Sequence, residues 1–593
     1  MRLAVATDPD SPVRLTGDLD MVAGASTAHV SVAGAAGVRA LAVLGLGVGV
    51  LTDVTVTVSA WRRPLAGWSG RLGAVARLVR CEVDVPTGRD GEVTVRLVVD
   101  EPTDLAAVAR ALVPLLEPVR ADARRGSPRV AVAPGSSPHV AALLLDPRVS
   151  PVRLEPDADA IRGNDVLLRG PSSPAVPDEQ VARVVEVDAD GTLADGADAP
   201  QVDLTVHRPV GRLRSTAAGV PAVLQPRTDG WTVQPVTASS GAAAVTVPAY
   251  RPLDADDVAA LRRVTSLDLS RVPVPTDDGA RRRLTARLTE LAAVGVELHD
   301  GRALTASLRG LDPAVVAALA LPRGDRGLAR ALRTTRQRRA AASAHGGVLR
   351  LARHLAGATV EDAGLPSVSV LLVSRRPDLL PTVLDQLAAQ TYRNLEVVVV
   401  VHGERAFEVP ARLRGLVTHS VALGADVPFG AVLAHATTLA DGELLTKVDD
   451  DDLYGPHHVW DLVLAWLSSG AQVVGKRAQY VYVAERDVTV HRKLAVENVV
   501  KVVAGGTMLL SAADLAAVGG WRPVPRSVDR GLLERLHEAG GSIYATEGLG
   551  YVYVRHGDGH TWAVEADALL TNVLEQWPGL HRAVLDEEPL PTS

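Results

Sequence analysis

The chain has 593 residues, too many for one hydrophobic core, and its 47% apolar and 22% charged residues are a globular balance. A net charge of -7 argues against general nucleic-acid binding, and a single cysteine, Cys81, rules out an internal disulfide framework and a Cys-rich zinc site. Asp8 and Asp10 interrupt any signal-peptide-like apolar segment, and the apolar run over residues 40–51 is too short to span a bilayer. These features lead us to expect a soluble, cytoplasmic protein.

Residues 1–125 read as a β-rich region. Val54–Val58 and Val93–Leu97 alternate apolar and polar side chains, as half-buried strands do. A helix is expected over Glu101–Glu117, with Thr103 or Asp104 as its cap. The charged segment 122–128 marks a boundary. Residues 126–355 then alternate as an α/β domain, with strands near Val130–Ala133, Val166–Leu168 and Val184–Val187. Helices are expected over His139–Leu145, Leu284–Val294, Pro313–Leu321 and Leu328–Ala342. The last of these carries Arg330, Arg333, Arg336, Arg338 and Arg339. Such a basic stretch is either a solvated face or a peripheral contact with an anionic membrane, and its thin apolar face favours the former.

A third domain spans 366–593. Val368–Val373 is a strand and Ser374–Asp378 a turn. A helix to about Gln390 leads to a second strand, Leu395–Val401, whose apolar run from Val397 suits a buried parallel sheet. A further helix, Phe429–Ala440, precedes a third strand over Glu443–Val448. That strand delivers four consecutive aspartates, Asp449 to Asp452, to its carboxyl end, where open α/β sheets bind ligands. Adjacent carboxylates repel one another, so the cluster suits a solvated loop or a divalent cation. All four lysines (Lys447, Lys476, Lys493, Lys501) and seven of the eight tyrosines also fall after residue 390. Lys447, two residues before Asp449, offsets the acids' repulsion, reaches a phosphate, or is a plain surface lysine.

Four pieces here carry a resemblance: Val368–Val373, Gln390-Thr391-Tyr392-Arg393-Asn394-Leu395-Glu396-Val397, Asp441-Gly442-Glu443, and the aspartate run. In order and spacing they resemble family 2 glycosyltransferases of the GT-A fold over about residues 366–556. The resemblance implies transfer of a sugar from a nucleotide-diphosphate donor to a glycan or a lipid- or protein-linked acceptor, usually with inversion. It implies Mn2+ or Mg2+ held by Asp449 and Asp451 as the DXD pair, with Asp452 behind them and Asp450 turned away. Asp529, opening a late helix, is the implied catalytic base, although it also fits a helix cap. Gly505-Gly506 matches the segment before that helix, where Gly506 lets backbone approach the donor. His560 is the histidine implied to complete the metal site, with His556 a weaker candidate. The middle domain carries one short stretch, Ala217–Val223, similar to the small-residue turns of a degenerate GT-B domain.

The chain departs from the family where two aspartates usually end the second strand, since Val401 and His402 stand there. The nucleotide contact is therefore assigned to His402 and Glu404, with Ser374, Arg375, Arg376 and Lys447 available to phosphates. A glycan-binding or scaffold protein with a degenerate transferase domain is the alternative. A nucleotidyltransferase ranks lower, because the first strand ends in Val373-Ser374-Arg375-Arg376 without a glycine-rich phosphate loop.

Overall fold

The computed structural model describes residues 13–15 and 19–23, most of 26–116, four strands between 129 and 186, most of 202–350, residues 365–556 except 540, and 569–587. The segment 122–128, the helix expected over His139–Leu145 and the candidate ligand His560 lie outside the described residues.

The N-terminal region is a six-stranded sheet. Its strands are β1 (Val13–Leu15), β2 (Leu19–Ala23), β3 (Thr27–Val32), β4 (Gly49–Arg62), β5 (Leu78–Asp84) and β6 (Asp90–Asp104), in the order β1-β2-β3-β4-β6-β5. The two alternating runs are strands, as expected, and they pair with each other: Val54, Val56 and Val58 face Leu97, Val95 and Val93, and all six are buried. Helix α1 (Leu105–Leu116) covers the sheet with Leu105, Val108, Ala109 and Leu112, one stripe at helical spacing. It starts four residues later than expected because Thr103 and Asp104 still pair with Leu51 and Gly49. Asp104 is the cap, accepting from the Ala107 N–H at 2.7 Å.

The middle domain is α/β, as its alternation implied. Strands β7 (Arg129–Val132), β8 (Ser150–Arg153), β9 (Val166–Arg169) and β10 (Arg183–Glu186) form an all-parallel sheet. A second sheet, ordered β13-β12-β11-β14-β15, comprises β11 (Val220–Arg227), β12 (Gly230–Pro235), β13 (Val245–Pro248), β14 (Val264–Asp268) and β15 (Glu297–His299). From Val220 onward, the expected small-residue turn is instead a central strand, hydrogen-bonded to β12 and β14. Helix α2 (Asp278–Val294) packs on this sheet.

The basic helix, α3 (Leu328–His345), corrects the surface reading. Gln337 lies along the edge of β15, accepting from the Leu298 N–H at 3.0 Å and donating to its carbonyl at 2.6 Å. Arg330 and Arg333 reach Glu297 at 3.3 and 3.4 Å. Arg336 and Arg339 both reach Asp586, Arg339 also forks onto Asp461 at 2.7 and 3.1 Å, and Arg338 pairs with Glu497. All five arginines are thus ion-paired and at least partly buried, and the helix joins Glu297 of β15 to Asp461, Glu497 and Asp586. The apolar face looked thin because arginines occupy much of the buried surface. Among the described residues, no helix is long and apolar enough to cross a membrane.

The C-terminal domain holds an eight-stranded sheet ordered β18-β17-β16-β19-β25-β21-β26-β24. Its strands are β16 (Val368–Ser374), β17 (Leu395–His402), β18 (Val417–Leu423), β19 (Leu444–Val448), β21 (Val473–Lys476), β24 (Asn498–Val500), β25 (Leu509–Ser511) and β26 (Ile543–Thr546). β18, β17, β16 and β19 run parallel, and β25 is antiparallel to β19. Crossover helices α4 (Leu380–Ala388) and α5 (Phe429–Thr438) join the parallel strands, as the βαβ reading required. A smaller sheet, β20-β27-β22-β23-β28, adds β20 (Leu453–Tyr454), β22 (Tyr480–Val483), β23 (Val488–Arg492), β27 (Tyr551–Arg555) and β28 (Val573–Pro578). Helix α6 (His458–Ser469) carries Asp461 to Arg339, and Trp460 donates to Ser343 of α3 at 2.7 Å.

Beside this domain junction, burial and the neighbouring Glu497 push the Glu547 carboxyl up to about 7, with Arg338 opposing them. Its ordinary value is 4.5, so between 4.5 and about 7 the folded chain holds a proton that the unfolded chain releases, and stability falls as pH rises through that window. Glu547→Gln should remove the loss. Its melting temperature should match wild type near pH 4.5 and exceed it at pH 8, by up to roughly 3 kcal/mol of stability. Equal pH dependence in the two proteins would refute the buried-acid assignment.

Candidate active site at the carboxyl edge of the C-terminal sheet

Three adjacent parallel strands end together at this edge. Ser374 closes β16, His402 closes β17, and β19 passes from Val448 into Asp449. Register explains the grouping: Leu372 faces Val448 and Ser374 faces Val401, so the residues that follow emerge side by side. The antiparallel β25 then brings the Gly505–Thr507 turn alongside, because the Lys447 N–H donates to the Met508 carbonyl at 3.2 Å.

Lys447 is the hub of one half of the site. Its side chain is buried, and Nζ lies 2.6 Å from Asp449 Oδ1 and 3.1 Å from Asp529 Oδ2. Burial works against its charge, but the two carboxylates outweigh burial and hold the ammonium well above its ordinary range. Burial pushes Asp449 up, Lys447 opposes that shift, and Asp529 adds to it. Asp529 stands in the first turn of α7 (Val528–Glu538), whose N-cap residue is Ser527 in the left-handed region at φ 57°. Its carboxylate reaches across to Lys447, and its Oδ1 is buried with no hydrogen-bond partner.

The paired glycines close this half. A Cβ on Gly505 would overlap Asp529 Oδ2, and one on Gly506 would lie 2.7 Å from both Asp449 Oδ2 and the Tyr454 hydroxyl. That hydroxyl accepts from the Asp449 N–H at 2.9 Å. Tyr454 is buried, and its own N–H donates to Gln386 Oε1 at 2.7 Å.

The other half is organised by Arg376. Its guanidinium reaches Asp450, and it lies 2.8 Å from Asp451 Oδ2. The Ser374 hydroxyl donates to Asp450 and accepts from the Arg376 N–H at 2.8 Å. Asp450 is therefore not turned away, as the family pattern implied. It faces the first strand's end because Arg376 and Ser374 draw it there. Asp452 points inward, accepting from the Tyr551 hydroxyl at 2.7 Å and the Val554 N–H at 3.0 Å, which anchors the loop to β27. His402 is buried against Arg375, whose Nε lies 3.0 Å from its Nδ1. Burial and then the adjacent guanidinium lower its basicity, keeping the imidazole neutral. Glu404 and His556 are exposed. Trp521 is buried and donates to Thr437 at 3.0 Å, so it packs rather than offering a face.

Among the described residues, the quartet does not bring three metal-ligand atoms within 4.8 Å of one another, whereas Asp268, His299 and Asp300 of the middle domain do. The acid loop nonetheless fits a hard cation. Such an ion, when it also holds phosphates, needs only one or two protein carboxylates. Asp451 faces a side chain that is 45% exposed, so a guanidinium at the loop's open side already occupies a cation's place.

No family model and no curated protein matches the sequence. Solved glycosyltransferase structures are similar to part of the fold. A mannosyltransferase from Pyrobaculum calidifontis in complex with GDP-Man and Mn2+ is 17% identical, with TM-score 0.25 over 32% of this chain and 56% of that one. S. aureus TarS 1–349 in complex with UDP-GlcNAc is 15% identical, with TM-score 0.28 over 34% and 62%. GalNAc-T7 with UDP, GalNAc and Mn2+ is 12% identical, with TM-score 0.27 over 32% and 44%. This chain thus spans less than two thirds of the length of each.

Of the residues singled out in the sequence, the structure brings Lys447, Asp449, Gly506 and Asp529 together. It places Ser374, Arg376 and Asp451 on the other side of the loop, with Arg375 and His402 paired next to them. Sequence reasoning missed three contributions: Asp450 as an anion for Arg376, Tyr454 as the acceptor for the loop's first N–H, and Gly505 as the seat of Asp529. Only Gly505 had a signal, its place in the glycine pair.

Gly505→Ala should therefore destabilise the protein by about 1–3 kcal/mol by overpacking against Asp529. Urea unfolding measures this, and an unchanged midpoint would place Asp529 elsewhere. Tyr454→Phe should cost about 1 kcal/mol by leaving the Asp449 N–H without its acceptor.

Proposed function

We propose that this protein transfers a sugar from a nucleoside-diphosphate donor to a hydroxyl of a glycan, or of a lipid- or protein-linked precursor, with inversion at the anomeric carbon. Cell-surface polysaccharide synthesis is the setting that fits such acceptors. The observation that carries the reading is the junction at one sheet edge of an acid loop and a separate carboxylate, Asp529, with a buried, unpartnered oxygen.

Mn2+ or Mg2+ would be held chiefly by Asp451, with Asp449 as second ligand or nucleoside contact. Such an ion stabilises charge building on the departing diphosphate. Asp449 ranks second because Lys447 already holds one of its oxygens. Arg375 and Arg376, at the end of β16, supply guanidinium donors for phosphate oxygens. The Asp529 carboxylate takes the proton of the acceptor hydroxyl. The acceptor oxygen bonds to the anomeric carbon as that carbon's bond to the diphosphate oxygen breaks, and the electron pair leaves with the diphosphate. His560 would be the further ligand that completes the metal site.

A second reading, a glycan-binding protein without turnover, draws on one observation. Val401 stands where an acidic nucleoside contact is expected, and the next residue, His402, is buried against Arg375. The two readings part in one assay. The purified chain is incubated with a panel of nucleotide sugars, with and without Mn2+, while thermal shift and nucleoside-diphosphate release are followed. The transferase reading expects metal-dependent release. Asp451→Ala should abolish the metal-dependent shift, while Asp529→Ala should keep the shift and lose roughly 100-fold or more in transfer. Glycan binding with no release from any donor would favour the second reading.

A further inference from the structure

Lys447 ties together two acids that the reaction would use separately. Its strand position is fixed on both sides: Leu371 of β16 is its register partner, and its N–H is bonded to Met508. The side chain is 5% exposed and passes beneath the acid loop, with Nζ 5.9 Å from the Phe429 ring centroid. From there the ammonium meets Asp449 Oδ1 on the donor side and Asp529 Oδ2 on the acceptor side. The opposite walls are backbone, because Gly505 and Gly506 press against the same two carboxylates.

The two oxygens of Asp529 have different surroundings. Oδ2 is held by Lys447 and wedged against Gly505, whereas Oδ1 is buried and lacks a partner. A carboxylate fixed by one oxygen cannot rotate freely, so the other keeps one direction. A buried acceptor atom without a donor costs free energy until a donor arrives.

We infer that Lys447 is a positioning residue: it clamps Asp529 through Oδ2, fixing the direction in which that carboxylate meets the incoming hydroxyl, and it links that base to Asp449. The inference rests on the transferase reading above. Lys447 itself takes no proton and touches no reacting atom. The proton passes from the acceptor hydroxyl to the Asp529 carboxylate, and orientation alone is what the lysine supplies.

The test is a double-mutant cycle on the full chain, measuring transfer kcat and donor KM with Mn2+ and the donor that wild type uses. Lys447→Met should lower kcat about 100-fold while donor KM stays within about 2-fold. Lys447→Arg, which keeps the charge and guards against a Met variant that fails to fold, should retain at least about a tenth of wild-type kcat, again at unchanged KM. Adding Lys447→Met to Asp529→Asn should cost less than about 3-fold further, because residues acting through one another are not additive. If the two losses multiply, or if the lysine variants raise donor KM at constant kcat, Lys447 serves the donor and the inference falls. If Asp529→Asn transfers at the wild-type rate, the base assignment fails first and the positioning role with it. A wild-type chain that releases nucleoside diphosphate from no donor removes the transferase reading as a whole.

Discussion

Five carboxylates, Asp449 to Asp452 and Asp529, crowd one strand end, and their mutual repulsion is the constraint to which the surrounding structure answers. Two internal cations and a set of directed donors do so. Lys447 lies between Asp449 and Asp529, Arg376 between Asp450 and Asp451, and Asp452 is turned into the core under a tyrosine hydroxyl and a backbone N–H. Each acid thus has a partner, with one cation shared by each of two pairs, and the four acids of the quartet stand in three different surroundings. The unevenness matters chemically. Arg376 is nearly half exposed, whereas Lys447 is buried between its two carboxylates.

The same device recurs at the domain junction on a larger scale. Arg336, Arg338 and Arg339 of one helix meet Asp461, Glu497 and Asp586 from three separate parts of the C-terminal domain. Buried pairs of this kind are weak sources of net stability, because desolvation offsets the attraction, but removing one partner strands the other. They therefore specify how the domains meet more than how tightly. Asp461 also receives Lys476 at 3.1 Å, so the ion pairing continues into the strand beside the Gly505–Thr507 turn, where Lys476 and Thr507 exchange hydrogen bonds at 2.9 Å. A continuous polar connection runs from the middle domain to the seat of Asp529.

Local patterns were most legible where one strand or helix decides its own fate. The apolar runs Val368–Val373 and Leu395–Val401, broken only at Ser369 and Glu396, announced buried parallel strands, and the alternation of Val54–Val58 announced a half-buried one. A helix start near Asp529 was readable as well, although the N-cap is Ser527 and Asp529 stands in the first turn. Failures came where a distant partner overrode the local signal. The helix expected from Glu101 yields four residues to pairing with Gly49 and Leu51. The small-residue stretch at Val220 becomes a strand because β12 and β14 flank it. Five arginines on one helix resembled a surface because periodicity records spacing and carries no trace of the acids, as far as 250 residues away in the chain, that neutralise them.

By itself, the sequence determined that an acidic loop sits at the carboxyl end of a parallel strand, with a second acid on a later helix and a lysine two residues before the loop. Alternation and strand direction suffice for that, since both are local. Only the tertiary structure decided which acid faces which cation. Strand register sets Lys447 beneath Asp449, and the antiparallel β25 carries the glycine pair and Asp529 across to meet them. That meeting depends on contacts between residues 82 apart, and a carboxylate's partner is a matter of a few ångströms that no spacing in the chain can encode.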